Sequence, residues 1–126
     1  MWLDRRLFAL GTVALAAVGP GAAEGATSMY GLIGKMLAKP GQRDALIEAM
    51  LAGTREMPGC LSYVVATDPA DADAIWITEV WTNAEHHQAS LKLPAVQATI
   101  ARARPLIAGF GERFETQPVG GVGLTA

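Results

Sequence analysis

Cysteine is almost missing from this chain. Cys60 stands alone among 126 residues, which excludes an intramolecular disulfide framework. Leu61 follows it and no basic residue lies close by in sequence, so the thiol reads as a small apolar packing group rather than a reactive one. An excess of charge is missing too. The formal net charge is −2 and the basic residues are scattered, which argues against a nucleic-acid partner. No glycine-rich loop joins a strand to a helix, and Gly120-Gly121-Val122-Gly123 leads only into tail, so phosphate-cradle chemistry has no support. There is no Gly-x-Ser-x-Gly elbow and no evident cysteine–histidine pair. Histidine occurs only as His86 and His87. Adjacent residues on a helix point about 100° apart, whereas helical chelating pairs use spacings of three or four. A facial triad with Glu79 can be drawn, but the spacing disfavours it and no metal is expected.

The apolar run from Leu7 to Val18 is about a dozen residues, too short to cross a bilayer comfortably. Arg5 and Arg6 precede it and small residues follow from Gly19 to Ala26. That order is the layout of an export signal, with cleavage placed after Ala23. Arg5-Arg6-Leu7-Phe8 resembles the twin-arginine form, with Asp4 and Ala9 departing from its usual flanks. Residues 1–26 are therefore expected to be a leader, 27–119 the folded domain and 120–126 a loose glycine-rich tail. The expected location is periplasmic or secreted. The alternative is a start at Met29 and a cytoplasmic protein.

Tyr30 to Ala38 is a strand, apolar on both faces and closed by Lys39-Pro40-Gly41. Gln42 to Met57 places Leu46, Ala49, Met50, Gly53 and Met57 at helical spacing, ended by Pro58-Gly59. Cys60 to Thr67 and Ala74 to Thr82 are strands joined by a turn at Asp68-Pro69-Ala70-Asp71, short enough for an antiparallel hairpin. A short segment from Ala84 to Leu91 follows. Pro94 then opens a helix that Pro105 ends or kinks near Arg104. Gly109 to Val119 reads as a fourth strand. Strand, helix, strand, strand, helix, strand is the α+β ferredoxin-like βαββαβ order. Two helices cover one face of such a sheet, yet the first three strands are apolar on both. A second copy packed sheet to sheet is the expected cover, making a homodimer.

Sheet and helices should then enclose an apolar chamber, with Trp81, Tyr63, Phe110 and Met50 as walls and Asn83, His87 and Glu79 as polar groups near its mouth. Glu79 lies inside an apolar strand and needs a partner. Arg102, Arg104 or a backbone donor is expected. The plain alternative is that Trp76 and Trp81 are core or interface residues and that Tyr63 is a half-buried strand residue.

Met57-Pro58-Gly59-Cys60-Leu61-Ser62-Tyr63, Trp76-Ile77-Thr78-Glu79-Val80-Trp81-Thr82-Asn83 and Ser90-Leu91-Lys92-Leu93-Pro94 together resemble the antibiotic biosynthesis monooxygenase family, and within it the small quinol monooxygenases. The resemblance runs from about Met29 to Val119. It implies a dimeric α+β barrel that oxidises a quinol or similar electron-rich aromatic with dioxygen and no cofactor. Under it, His87 is the base or hydrogen-bonding group and Asn83 orients the anion. Trp81 and Tyr63 stack on the ring, and Glu79 holds the corner together. Many relatives carry histidines near Ser90 and Ala95, which this chain lacks. The asparagine, tryptophan and histidine of haem-degrading cousins are also missing, so haem degradation is not expected. Two other readings stay open: a non-enzymatic dimer that binds small aromatics or serves a stress response, and an isomerase or cyclase on the same barrel.

Overall fold

A computed structural model describes residues 28–124 of the chain. The expected leader lies outside them. Within them the order is β1 (Tyr30–Ala38), α1 (Arg43–Ala52), β2 (Cys60–Thr67), β3 (Ala74–Trp81), α2 (Ala84–Ser90), α3 (Pro94–Ala103), a 3₁₀ turn (Arg104–Leu106) and β4 (Ile107–Thr116). The four strands form one sheet in the order β2-β3-β1-β4, and every neighbouring pair is antiparallel. This is the ferredoxin-like α+β arrangement, with β1 and β3 in the centre.

Local chemistry places most boundaries. Pro94 opens α3 at its first turn, where a missing N–H goes unnoticed. Gly59 adopts φ +83°, a conformation glycine tolerates, and so turns the chain into β2. The expected first helix stops five residues early. A side chain at Gly53 would strike Thr99 and Ala95 of α3, so α1 ends where the two helices touch. Thr54 then donates its hydroxyl to the Met50 carbonyl at 2.7 Å, satisfying a terminal helix acceptor. At the other end, β4 begins at Ile107 and finishes at Thr116, against the expected Gly109 to Val119.

Because side chains alternate across a strand, the two sheet faces have distinct populations. Leu32 and Met36 of β1 and Ile75 and Ile77 of β3 point toward the helices and pack on Leu46 and Met50 of α1 as a fully apolar core. The helix sequence supplies the matching stripe through Leu46, Ala49 and Met50. The opposite face holds Ile33, Lys35, Trp76, Thr78 and Phe114 in register and carries no helix among the described residues. Val64 and Phe114 there are 51% and 52% exposed. Trp76 is held by its indole N–H, which donates to Asp68 at 3.0 Å, with the Lys35 ammonium over its ring. Arg43 of α1 reaches across to donate to the carbonyls of Asp68, Asp71 and Ala74, pinning the β2–β3 turn. No helix among the described residues is long and apolar enough to cross a membrane.

Candidate functional site

At the C-terminal end of β3 the inner face stops being purely apolar. Glu79 and Trp81 are two residues apart and share that face, so their side chains meet: the indole N–H donates to Glu79 Oε1 at 2.9 Å. Both are buried, Glu79 to 3% and Trp81 to 0% exposure. The expected arginine partners are elsewhere. Arg102 faces Glu48 at 3.9 Å on the surface, and Arg104 is exposed. α3 turns Arg102 to solvent because its Val96–Thr99–Ala103 side is the one that packs, and Arg104 lies beyond it in the 3₁₀ turn.

The next turn sets the histidines. Asn83 caps α2, its side-chain oxygen accepting the His86 backbone N–H at 2.8 Å, a contact that typically stabilises a helix by about 1 kcal/mol. Starting α2 there sends His86 outward, where Nδ1 lies 2.6 Å from the Thr82 hydroxyl. It sends His87 inward, to 2% exposure. The His87 ring sits edge-on to Trp81 at 5.4 Å and tilted against Tyr30 at 5.1 Å. Its Nε2 lies 3.8 Å from Glu79 Oε1. Tyr30 in turn donates its hydroxyl to Glu115 at 2.6 Å. Among the described residues no three histidine, cysteine or acidic side chains gather to hold a metal ion.

Burial decides the charges. It pushes the Glu79 carboxyl up to about 7, against the opposing pull of the Trp81 N–H and the Arg113 guanidinium. It brings His87 down to about 4, and the same guanidinium adds to the fall. Near neutrality, then, the imidazole is uncharged and the carboxyl holds its proton about half the time. The 3.8 Å contact is not an ion pair at that pH. Burial, reinforced by the Glu79 carboxylate, also raises the Cys60 thiol to about 11 and the Tyr63 phenol well above its ordinary value. Both stay protonated, which removes them as nucleophiles. Glu79 Oε2 is buried and has no hydrogen-bond partner. An unsatisfied carboxyl oxygen in a core is expensive, and Glu79 is one of the residues that line a cavity.

That cavity lies between the sheet end and helices α1, α2 and α3. Its walls include Met50, Met57, Tyr63, Glu79, Trp81 and His87. Ser90, Thr54 and Thr99 also line it, but their hydroxyls already donate to the carbonyls of His87, Met50 and Ala49. Five of the expected residues therefore come together: His87, Glu79, Trp81, Tyr63 and Met50. Asn83 and Phe110 are not among the walls. Asn83 is engaged in capping, and Phe110 lies against the apolar core beside Met36. Met57 was expected on the buried stripe of a helix. It is instead a loop residue folded inward by the Pro58-Gly59 bend, and it packs on Trp81 and Val96. The space is about 30 Å³. A water needs roughly 10–15 Å³ measured this way, so the chamber takes one or two waters and not an aromatic ring.

The family profile described as antibiotic biosynthesis monooxygenase matches residues 29–102. A crystal structure of a candidate antibiotic biosynthesis monooxygenase from Chloroflexus aurantiacus J-10-fl is similar at 66% identity and a TM-score of 0.76, covering 78% of this chain and 100% of that one. A candidate of the same description from Caulobacter crescentus CB15 shares the fold at 15% identity and a TM-score of 0.69, covering 79% and 98%. No curated protein matches the chain.

Proposed function

We propose a function from one premise: the chain belongs to the antibiotic biosynthesis monooxygenase family. Our reading is a cofactor-independent oxygenase acting on a quinol or similar electron-rich phenol. The observation that carries it is Glu79, a wall of an apolar chamber with one buried oxygen unpartnered, beside an uncharged His87. Dioxygen reacts slowly with closed-shell organic molecules, so the first task is to make the substrate an electron donor. Glu79, whose carboxyl titrates near neutrality, takes the hydroxyl proton, as a base poised near the working pH does best. The resulting ring anion gives one electron to dioxygen, and the radical pair recombines. One oxygen atom stays on the ring and the other leaves as water, which takes a hydroquinone to a hydroxyquinone. His87 is too weak a base to drive the first step. It serves as the neutral hydrogen-bonding neighbour, and Asn83 acts through α2 by holding His87 in place. Trp81 and Tyr63 supply the apolar walls that keep bulk water out.

In this reading a second copy covers the exposed sheet face of Val64, Trp76 and Phe114, since an apolar patch of that kind is rarely left wet. The leader directs export, giving a periplasmic or secreted homodimer. The test is oxygen uptake with menadiol, corrected for autoxidation. Uptake above the corrected rate that falls in Glu79→Gln supports the reading. None at all refutes it, and conversion without oxygen points to an isomerase or cyclase. The small chamber favours a second reading, a dimer that binds small aromatics without turnover. Saturable binding with no oxygen uptake selects it.

A further inference from the structure

The chamber is too small for a ring, yet one stretch of its wall is unlike the rest. Met50 belongs to α1 and to the apolar core, and Trp81, Tyr63 and His87 are fixed on strands or a helix. Met57 lies in residues 54–58, which form neither helix nor strand, and is the only buried side chain among them. Arg55, Glu56 and Pro58 around it are exposed. The ends of the loop are fixed. Gly53 is pressed against α3, and Gly59 against the His86 ring, leaving no room for a side chain at either. Between them the backbone makes one turn contact, from the Cys60 N–H to the Met57 carbonyl at 3.0 Å. Met57 belongs to a small cluster with Trp81 and Val96, apart from the main core. Methionine is also the apolar side chain that changes shape most readily.

We propose that Met57 is the plug of this chamber, and that its displacement admits a single hydroxylated ring whose O–H donates to Glu79 Oε2. Volumes support the size class. Three heavy atoms beyond Cβ, each of roughly the ~30 Å³ share of a water, add about 90 Å³ when they swing out. On the same scale the one or two waters that the chamber already holds come to about 30–60 Å³, so the total of about 120–150 Å³ approaches the ~150 Å³ apolar cavity that accepts benzene. The hydroxyl follows from Glu79, the one wall residue with a buried oxygen lacking a donor. In its ionised form the same carboxyl repels an acidic ring such as benzoate. This inference rests on the chamber being the substrate site, and it does not depend on oxygen chemistry.

The experiment is anaerobic stopped-flow binding of phenol, toluene and benzoate to the full chain, read by tryptophan fluorescence. Met57→Ala is expected to raise the phenol association rate at least tenfold. Met50→Ala makes similar room behind a closed plug, so it is expected to tighten binding while leaving the association rate within twofold. Equal rates in the two variants overturn the plug. Met57→Leu keeps the volume and tests the point if Met57→Ala does not fold, and its branched side chain is expected to slow entry severalfold. In Glu79→Leu, phenol is expected to lose at least tenfold in affinity and toluene to lose none. Equal losses, or benzoate binding as tightly as phenol, overturn the hydroxyl assignment. Binding by this route without menadiol oxidation keeps the plug and removes the oxygenase reading.

Discussion

The two ends of the inner sheet face follow different rules. At one end Met36, Ile75, Ile77 and Leu46 are wholly buried, apolar and packed on one another. At the other, Glu79 and His87 are buried as deeply, yet both have been moved far from their ordinary proton affinities and one oxygen has no partner. The first end holds the domain together. The second sits where β3 runs on into α2 and is tolerated because the first is there. A packed core residue gives stability and offers nothing to a ligand. A misfit carboxyl gives up stability and leaves a proton acceptor in a dry place.

Breaking the packed end should have the largest effect. Ile77→Ala or Leu46→Ala is expected to destabilise by about 2–5 kcal/mol in denaturant titrations, through lost transfer energy and the cavity left behind. At the chamber end the sign reverses. Burial raises Glu79 from 4.5 to about 7, so between those values the folded chain holds a proton that the unfolded chain has released, and stability falls as pH rises. Glu79→Gln is therefore expected to gain on the parent from pH 4.5 to 7, by about 3 kcal/mol at the upper limit, while menadiol-dependent oxygen uptake drops on the order of 100-fold.

His87 sharpens the contrast. Its fall from 6.5 to about 4 means that the unfolded chain binds a proton the folded chain refuses, so stability rises with pH across that window. The two slopes oppose each other from pH 4.5 to 6.5, and the parent should show a nearly flat melting temperature there. His87→Asn is expected to expose the Glu79 slope, with melting temperature falling as pH increases. Glu79→Gln is expected to expose the rising one. A parent curve as steep as either variant would break the comparison. The smallest effect belongs to Asn83→Ala, which removes the α2 cap for about 1 kcal/mol. Because it loosens the His87 ring, it is expected to lower turnover severalfold without moving the pH midpoint.

Much of the architecture was legible because periodicity is local. The bounds of β1 and β2 follow from apolar alternation ending at Lys39-Pro40-Gly41 and at Asp68-Pro69, and the βαββαβ order follows from the sequence of elements. The site was legible only in part. That Glu79 and Trp81 share a face is a strand property, and it brought the right pair to attention. That the indole is the partner of the carboxyl was missed in favour of a distant arginine or a backbone donor, since charge suggested a partner more strongly than proximity did. The proton affinities of Glu79 and His87 were also not legible. A histidine looks like the more basic of the two groups and a strand glutamate like the ionised one until burial exchanges them. Met57 was given its buried face but the wrong element, because helical spacing continues past Gly53 in the sequence and contact with α3 stops it in space.

By itself, then, the sequence determined the strands, their order, the apolar stripe of α1 and the residues able to ionise in the core. Only the tertiary structure decided which of them meet, how much space lies between them and which holds the proton. Periodicity is written along a few neighbouring residues. Proton affinity and cavity volume depend on everything packed around a group, and that environment is assembled from β1, β3, α2 and β4 only when the sheet closes.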